Sequence, residues 1–223
     1  NAALTMENVA FGGLVTVSAM ETNGNNADTK TTKVNFKNCT FAGGLDAENK
    51  YSNSKPVYVT VDGGSVENQA GTAALSLGWT AGSETHAKST VYVKGNVSAD
   101  VVDVNGDAVE TGVLDIIGNL TVNSKVDFLS GVQSKIYVEK DATLTLGENA
   151  TFNVVSANAA RLEGTLVNNG LMTVPAGVIL TDIEHNNQHL GTINNNGVLF
   201  APAAQWYENQ YVSVNHVGDY EYV

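Results

Sequence analysis

Cysteine, proline and arginine are scarce in this chain of 223 residues, and their scarcity excludes some covalent links and some classes of partner. Cys39 is the single cysteine, so the chain cannot form an intramolecular disulfide. Proline occurs three times and arginine once, at Arg161. Eleven basic residues against 23 acidic ones give a formal charge of −12. A surface of that sign repels phosphate backbones, so the sequence predicts no nucleic-acid partner.

Long apolar runs are also missing. No window approaches the roughly 20 apolar residues that a membrane-spanning helix needs, so we expect no membrane insertion by this segment. The first residue is Asn, and no basic stretch followed by an apolar one lies near it. The sequence therefore shows no signal peptide, and export is an expectation that depends on other features.

Glycine and asparagine, by contrast, are plentiful. The chain has 22 glycines, and about one residue in nine is asparagine; both tolerate positive φ and suit a fold with many tight turns. The sequence also repeats itself. Residues 6–13 (MENVAFGG) match residues 36–44 (FKNCTFAGG) at an offset of 30, and residues 164–170 (GTLVNNG) match residues 191–197 (GTINNNG) at an offset of 27.

Short stretches of alternating apolar residues lie between these repeats, as expected of half-buried strands. Seven apolar anchors recur at steps of 30, 25, 32, 23, 22 and 24 residues: Met6, Phe36, Val61, Val93, Ile116, Val138 and Leu162. Such steps are typical of a solenoid, in which coils bury their inward side chains by stacking. The sequence therefore predicts an all-β fold, a right-handed parallel β-helix, with a β-sandwich as the alternative.

Residues 34–41 (VNFKNCTF) resemble one coil of the pectate-lyase-like superfamily of right-handed parallel β-helices. In that superfamily an asparagine at the bend between two sheets stacks on its equivalents in neighbouring coils. The resemblance implies structural roles for five residues: Asn8 and Asn38 at the bend, and Phe11, Cys39 and Phe41 in stacks around the core. The Gly-Thr-Leu-x-Asn-Asn-Gly blocks near the end look like repeats of bacterial haemagglutinins and autotransporter-type adhesins.

Aromatic residues concentrate near the end of the chain. A solenoid end must be capped, and an aromatic cap is the favoured interpretation, although such rings also serve as stacking platforms for sugars. We expect one domain over residues 1–223, with main coils in 1–160 and the 27-residue repeats plus the cap in 161–223. The candidate ligand-binding residues are Trp206, Tyr207, Tyr211 and Trp79.

Two segments carry metal-binding residue types, and each has a simpler interpretation. Asp103, Asn105 and Asp107 alternate as at the start of a calcium loop, but Asn105 and the following glycine form a strong turn signal. His185 and His189 are four residues apart, as in a helical zinc site, but they lie in an asparagine-rich stretch that favours a loop. We predict no cofactor, with calcium as the candidate at the first segment.

No catalytic residue is assigned. Polyuronate-cleaving enzymes of the superfamily that the chain resembles carry clustered aspartates with Arg or Lys, or paired aspartates with Gly-His-Gly, and neither pattern occurs in this sequence. Stacked coils can still bring distant acids near a cation. The residues of this kind are Asp62, Asp100, Asp103, Asp115 and Asp127, with Lys94, Lys140 or Arg161.

The function predicted from the sequence is a non-catalytic module of an extracellular or cell-surface bacterial protein. It would serve adhesion, or bind a glycan or another protein, as a monomer. One alternative is a polysaccharide lyase or glycoside hydrolase acting on an acidic polysaccharide, which rests on fold analogy alone. The other alternative is a structural spacer.

Overall fold

The computed structural model describes residues 3–18, 31–48, 56–78, 88–104, 112–128, 135–153, 160–174, 191–201, 212–216 and 220–222. These ranges contain strands and bends and no helix. Accordingly, nothing in them is a helix of the length and apolarity required to cross a membrane.

Twenty strands are present in the described ranges. In chain order they are β1 (Leu4–Glu7), β2 (Ala10–Phe11), β3 (Val15–Ser18), β4 (Thr32–Phe41), β5 (Leu45–Glu48), β6 (Val57–Val66), β7 (Ala74–Leu77), β8 (Ser89–Val104), β9 (Gly112–Ile116), β10 (Asn119–Phe128), β11 (Lys135–Val138), β12 (Thr143–Leu146), β13 (Thr151–Asn153), β14 (Ala160–Leu162), β15 (Thr165–Asn168), β16 (Leu171–Thr173), β17 (Gly191–Asn195), β18 (Val198–Ala201), β19 (Val212–His216) and β20 (Tyr220–Tyr222).

The strands pair in parallel, each with its equivalent one coil later. We number the coils along the chain: β1–β3 form coil 1, β4–β5 coil 2, β6–β7 coil 3, β8 coil 4, β9–β10 coil 5, β11–β13 coil 6, β14–β16 coil 7, β17–β18 coil 8 and β19–β20 coil 9. This stack of coils confirms the predicted all-β parallel β-helix. The β-sandwich alternative is wrong, because a sandwich is built from antiparallel sheets.

Three faces run along the stack. Face 1 contains β1, the beginnings of β4, β6 and β8, and then β9, β11 and β14. Face 2 contains β2, the ends of β4 and β6, the middle of β8, the beginning of β10, and then β12, β15, β17 and β19. Face 3 contains β3, β5, β7, the ends of β8 and β10, and then β13, β16, β18 and β20.

The apolar anchors found in the sequence are neighbours on face 1. Met6 pairs with Phe36, and the series continues strand by strand through Val61, Val93, Ile116, Val138 and Leu162. The offset of 27 residues is also a pairing register, since Thr165 lies opposite Thr192 on face 2. The sequence repeat therefore has a direct physical meaning, because each repeated residue stacks on its counterpart.

Alternation along the strands separates the core from the surface. In β6, for example, Val57, Val59 and Val61 are fully buried, whereas Tyr58 and Thr60 point outwards and are partly exposed. Because successive side chains of a strand point to opposite sides, every coil sends one set inwards and the other to solvent. The inward sets of successive coils form a single continuous core.

The bend between faces 1 and 2 is left-handed in the first coils. Asn8 and Asn38 have φ of 57° and 50°, and glycines take over in the next coils, with Gly63 at 73° and Gly95 at 61°. Asparagine and glycine are the residues that adopt this conformation most readily. A Cβ added at Gly63 would lie 2.6 Å from Asn38 Oδ1, so the asparagine side chain rests against the glycine of the coil above it.

Three phenylalanines fill the interior of the first coils, and we call them the aromatic stack. Phe11 and Phe41 are parallel at 5.1 Å between ring centroids, and Phe36 meets Phe41 edge to face at 5.0 Å. Phe36 and Phe41 are buried. Cys39 is buried beside them, with its Sγ 3.4 Å from the carbonyl oxygen of Lys37.

Two asparagines replace apolar residues in the interior of coils 7 and 8, and we call them the amide ladder. On face 2 the inward residue Leu146 is followed in register by Asn168 and then by Asn195, both buried. Asn168 Nδ2 donates to Asn195 Oδ1 at 2.7 Å and to the carbonyl oxygen of Val198 at 2.9 Å. The ladder explains the Asn-Asn-Gly repeats, in which the first asparagine points inwards.

Candidate functional site

The outward side chains of face 1 in coils 2 to 6 form the most distinctive surface of the described residues. Six of them define what we call the tyrosine–lysine face: Lys33, Tyr58, Tyr92, Lys94, Lys135 and Tyr137. Pairing across the coils puts them side by side, with Lys33 next to Tyr58 and Tyr92 two strands from Tyr137. All six occupy the alternate positions that the strands direct away from the core.

A shallow groove of about 680 Å³ crosses this face. Its lining combines tyrosine rings, lysine ammonium groups and side chains that donate or accept hydrogen bonds. The lining residues are Ala3, Thr31, Lys33, Asn35, Tyr58, Thr60, Tyr92, Lys94 and Ile117. The lining contains no carboxylate, although the chain carries an excess of acids.

The tyrosine rings are held by their neighbours. Tyr58 and Tyr92 lie on successive coils with their ring centroids 6.4 Å apart and their planes 17° from parallel. The ammonium group of Lys33 lies 5.7 Å from the centre of the Tyr58 ring, and that of Lys135 lies 6.0 Å from the Tyr137 ring. Cation–π contacts of this length at exposed sites contribute about 0.5 to 1 kcal/mol each and favour this arrangement of ring and lysine.

The surroundings of Tyr92 favour the neutral form of its phenol. Partial burial raises the pKa of Tyr92 above its usual value, and the negative charge of Asp115 beside it acts in the same direction. The phenolic hydroxyl therefore remains a hydrogen-bond donor at any pH near neutrality. A polar ligand in the groove would meet a ring with an intact O–H group.

Charges on the far side of the groove alternate between coils. Lys37 forms an ion pair with Glu7 of the preceding coil at 3.2 Å, and Asp62 pairs in register with Lys94 of the next coil. Such an arrangement places opposite charges on adjacent strands, which is the favourable cross-strand combination. Face 1 therefore has a charged border along the tyrosines.

A pair of carboxylates lies on face 3, away from this groove. Asp103 of coil 4 and Asp127 of coil 5 are partners in the pairing register, and Lys125 forms an ion pair with Asp127. Burial raises the pKa of Asp103, and the neighbouring charge of Asp127 raises it further, while Lys125 and a hydrogen bond from Ser76 oppose the shift. Of the acids considered from the sequence, these two are direct strand neighbours.

The other acids have different surroundings. Asp100 is buried, and its Oδ2 accepts the backbone N–H groups of Asn68 at 2.8 Å and Ala73 at 3.2 Å. These two hydrogen bonds stabilise the bend before β7, so the role of Asp100 is structural. Asp62 and Asp115 lie on face 1, and the described residues contain no group of three or more His, Cys, Asp or Glu that could hold a metal ion.

Most of the ligand and metal candidates predicted from the sequence lie outside the described residues. These are Trp79, Trp206, Tyr207, Tyr211, Asn105, Asp107, His185 and His189. Their predicted roles stay predictions, as does the single-domain division of the chain. Of the cations considered for an enzyme, Lys94 lines the groove, whereas Lys140 is exposed in the bend after β11.

Sequence reasoning missed the tyrosine–lysine face. The signal that could have found it is the register itself, because the anchors Phe36, Val61 and Val93 fix which neighbouring residues point outwards. Counting one residue back from each anchor gives Asn35, Thr60 and Tyr92, and counting three back gives Lys33, Tyr58 and Thr90. The rings were visible in the sequence, but their adjacency appears only when the coils are aligned.

Comparisons of this chain with protein-family models, with curated proteins and with solved structures found no match. Proposals about its function therefore depend on the surface just described.

Proposed function

We propose that the chain is a non-catalytic module of an exported or cell-surface protein, and that it binds an extended glycan in the groove of the tyrosine–lysine face. The observation that carries this proposal is the composition of the groove, in which Tyr58 and Tyr92 lie among lysine, asparagine and threonine side chains. The resemblance of the C-terminal repeats to adhesins favours a surface location. Kinship with the pectate-lyase-like superfamily is part of the same proposal.

A surface that binds sugars must meet two requirements. A sugar ring has an apolar face, which packs on an aromatic ring, and a rim of hydroxyl groups, which need hydrogen-bond partners. Tyr58 and Tyr92 supply ring surface, and Asn35 and Thr60 supply short polar groups next to it. The groove is shallow, and six of its nine lining residues lie on β4, β6 and β8, so most of it is preorganised and suits a long ligand.

A screen on a glycan array tests the proposal, provided that bound glycan and released product are both followed. We expect binding without new reducing ends and without the unsaturated product of a lyase. Release of either product would contradict the non-catalytic assignment. Failure to bind any glycan would contradict the glycan proposal and leave a protein partner or a structural spacer.

A second candidate function is glycoside hydrolysis at the carboxylate pair of face 3. The observation that favours it is the register of Asp103 and Asp127 on adjacent coils, together with the raised pKa of Asp103, which suits a general acid. Hydrolysis of this kind requires two carboxyl groups roughly 5 to 9.5 Å apart. Lys125 forms an ion pair with Asp127, the second carboxylate of the pair.

The substitution Asp103→Asn distinguishes the two candidate functions. If the pair is catalytic, Asp103→Asn should abolish product release and leave glycan binding in place. If the module only binds, no product exists to lose, and Asp103→Asn should leave the array profile unchanged. Product release that survives the substitution would exclude the carboxylate pair as its source.

A further inference from the structure

Coil 1 has an uncovered edge on the side that faces away from coil 2, and we call it the open edge. Its strands β1, β2 and β3 pair with β4 and β5, and the described residues contain no partner for their other side. Leu4 is an inward residue, yet it is 54% exposed, whereas its register partner Val34 is 8% exposed and Val59 of coil 3 is fully buried. Leu4 therefore lacks the neighbour that buries Val34 and Val59.

The rest of the open edge is apolar as well. Val9 and Leu14 are exposed large hydrophobic residues of coil 1, and Leu14 is 63% exposed. Met6 and Phe11 point towards the core but are only partly buried. The terminal repeat of a solenoid ordinarily carries a polar outer face, which keeps the protein soluble. The open edge has no such face, so coil 1 has the properties of an internal coil.

The glycines at the bends indicate what covers such an edge. A Cβ added at Gly43 of coil 2 would overlap the backbone of Gly13 in coil 1. Glycine is therefore required at position 43 because the preceding coil lies against it. Six later glycines also face the backbone of the preceding coil at less than 3.0 Å from an added Cβ: Gly64, Gly118, Gly164, Gly170, Gly191 and Gly197.

Gly13 is the equivalent of Gly43 one coil earlier, because Phe11 pairs with Phe41 and Val15 with Leu45. However, no described residue lies within 4 Å of a Cβ added at Gly13, and its φ is not positive. Neither the packing nor the backbone of coil 1 requires a glycine at this position. The requirement exists if the backbone of another parallel coil lies on Gly13 as Gly13 lies on Gly43.

We infer that the open edge is the docking surface for one more parallel β-coil, supplied by polypeptide of the same protein on the N-terminal side of residue 1. The stacking direction selects this occupant, since coils 2, 3 and 4 are each covered on that side by the coil that precedes them in the chain. The further coil pairs with the free backbone groups of β1 to β3 and buries Leu4, Val9 and Leu14.

A chain with one coil added in register tests this inference. A second copy of residues 1–30 is fused in front of residue 1, which repeats the 30-residue offset between coils 1 and 2. In the added copy, Glu7→Lys avoids like charges on adjacent strands, as Lys37 does opposite Glu7. We expect the thermal midpoint of unfolding to rise by roughly 4 °C or more. A matched copy that also carries Met6→Asp and Phe11→Asp cannot pack and should give no rise.

Substitution at Gly13 distinguishes specific docking from a general gain in stability. In the unaltered chain Gly13→Ala meets open space, so we expect the midpoint to change by less than about 2 °C. In the extended chain the new Cβ meets the added coil, and the same substitution at the original position should lower the midpoint by roughly 4 °C or more. Gly43→Ala is the positive control and should lower the midpoint of both chains.

Two results would overturn the inference: an added coil that does not raise the midpoint, or an effect of Gly13→Ala that is the same in both chains. Light scattering tests the source of the occupant, and we expect the unaltered chain to be a monomer at micromolar concentration. A dimer that the added coil dissociates would overturn the assignment to the same polypeptide, because the open edge would then be an interface between copies. None of these outcomes depends on glycan binding.

Discussion

The two ends of the solenoid fill the same interior in different ways. In the first coils the aromatic stack packs Phe41 against Phe11 and Phe36, and its contribution comes from apolar area removed from water. In coils 7 and 8 the amide ladder puts Asn168 and Asn195 into the column that Leu146 occupies one coil earlier. Both ends bury apolar side chains, and coils 7 and 8 add a hydrogen bond between inward amides of successive coils.

The two kinds of interior differ in how strongly they define the register between coils. Apolar packing is not directional, so phenylalanine rings stabilise the stack without strictly defining its register. A buried amide is costly unless its partners are in place, so the ladder strongly favours the alignment that joins Asn168 to Asn195 and Val198. The aromatic stack therefore adds apolar burial to the first coils, and the amide ladder adds a preference for one register in coils 7 and 8.

Disrupting the aromatic stack should lower the unfolding free energy more than any other substitution considered. Phe41→Ala empties a fully buried site and should cost about 3 to 5 kcal/mol of unfolding free energy. Chemical denaturation followed by circular dichroism measures this change. Phe11→Ala is the matched control. Because Phe11 is only partly buried, its replacement should lower the unfolding free energy less. Equal losses for the two variants would show that the stack does not concentrate stability at Phe41.

Breaking the amide ladder should cost less. Asn168→Ala removes the donor to Asn195 Oδ1 and to the carbonyl oxygen of Val198, and we expect a loss of about 1 to 3 kcal/mol in the same assay. Replacing both members, Asn168→Leu with Asn195→Leu, extends the column of Leu146 and should recover most of that loss. A double variant no more stable than Asn168→Ala would argue against the hydrogen-bond explanation.

The bends of the first and later coils are also stabilised differently. Asn38 has φ of 50°, so Asn38→Ala should cost about 1 to 2 kcal/mol through backbone strain, whereas Asn38→Gly should be close to neutral. At the bend between faces 2 and 3 in the later coils, Asn196 Nδ2 donates to Asn169 Oδ1 at 2.9 Å. Asn196→Ala should lower the unfolding free energy less than Asn38→Ala, because it removes one exposed hydrogen bond and introduces no backbone strain.

The smallest effect is expected between the two ends, at Asp103. Because its pKa is raised, the folded state binds the proton more tightly than the unfolded state, so stability decreases as pH rises from 3.8 through the folded pKa. Asp103→Asn removes that dependence. At pH 7 we expect the unfolding free energy of the variant to equal that of the unaltered chain or to exceed it by less than about 1 kcal/mol. Below pH 3.8 we expect the two unfolding free energies to be the same. Denaturation curves at several pH values measure the difference.

The fold could be predicted because stacking forces the sequence to repeat. Anchors such as Phe36 and Val61 had to recur at coil spacing, since each inward residue needs an apolar neighbour above and below. The candidate site was harder to predict for a physical reason. Outward positions carry no packing requirement, so Tyr58 and Tyr92, 34 residues apart in the chain, leave no periodic signal although their rings are neighbours.

Binding of the ligand at the tyrosine–lysine face is tested most directly by one affinity measurement. The glycan that scores highest on the array is titrated into the unaltered chain, into Tyr92→Ala and into Phe200→Ala, which removes an outward aromatic ring from face 3. We predict that Tyr92→Ala weakens binding about five- to tenfold and that Phe200→Ala leaves it unchanged. Equal affinities for Tyr92→Ala and the unaltered chain would place the binding surface elsewhere on the molecule.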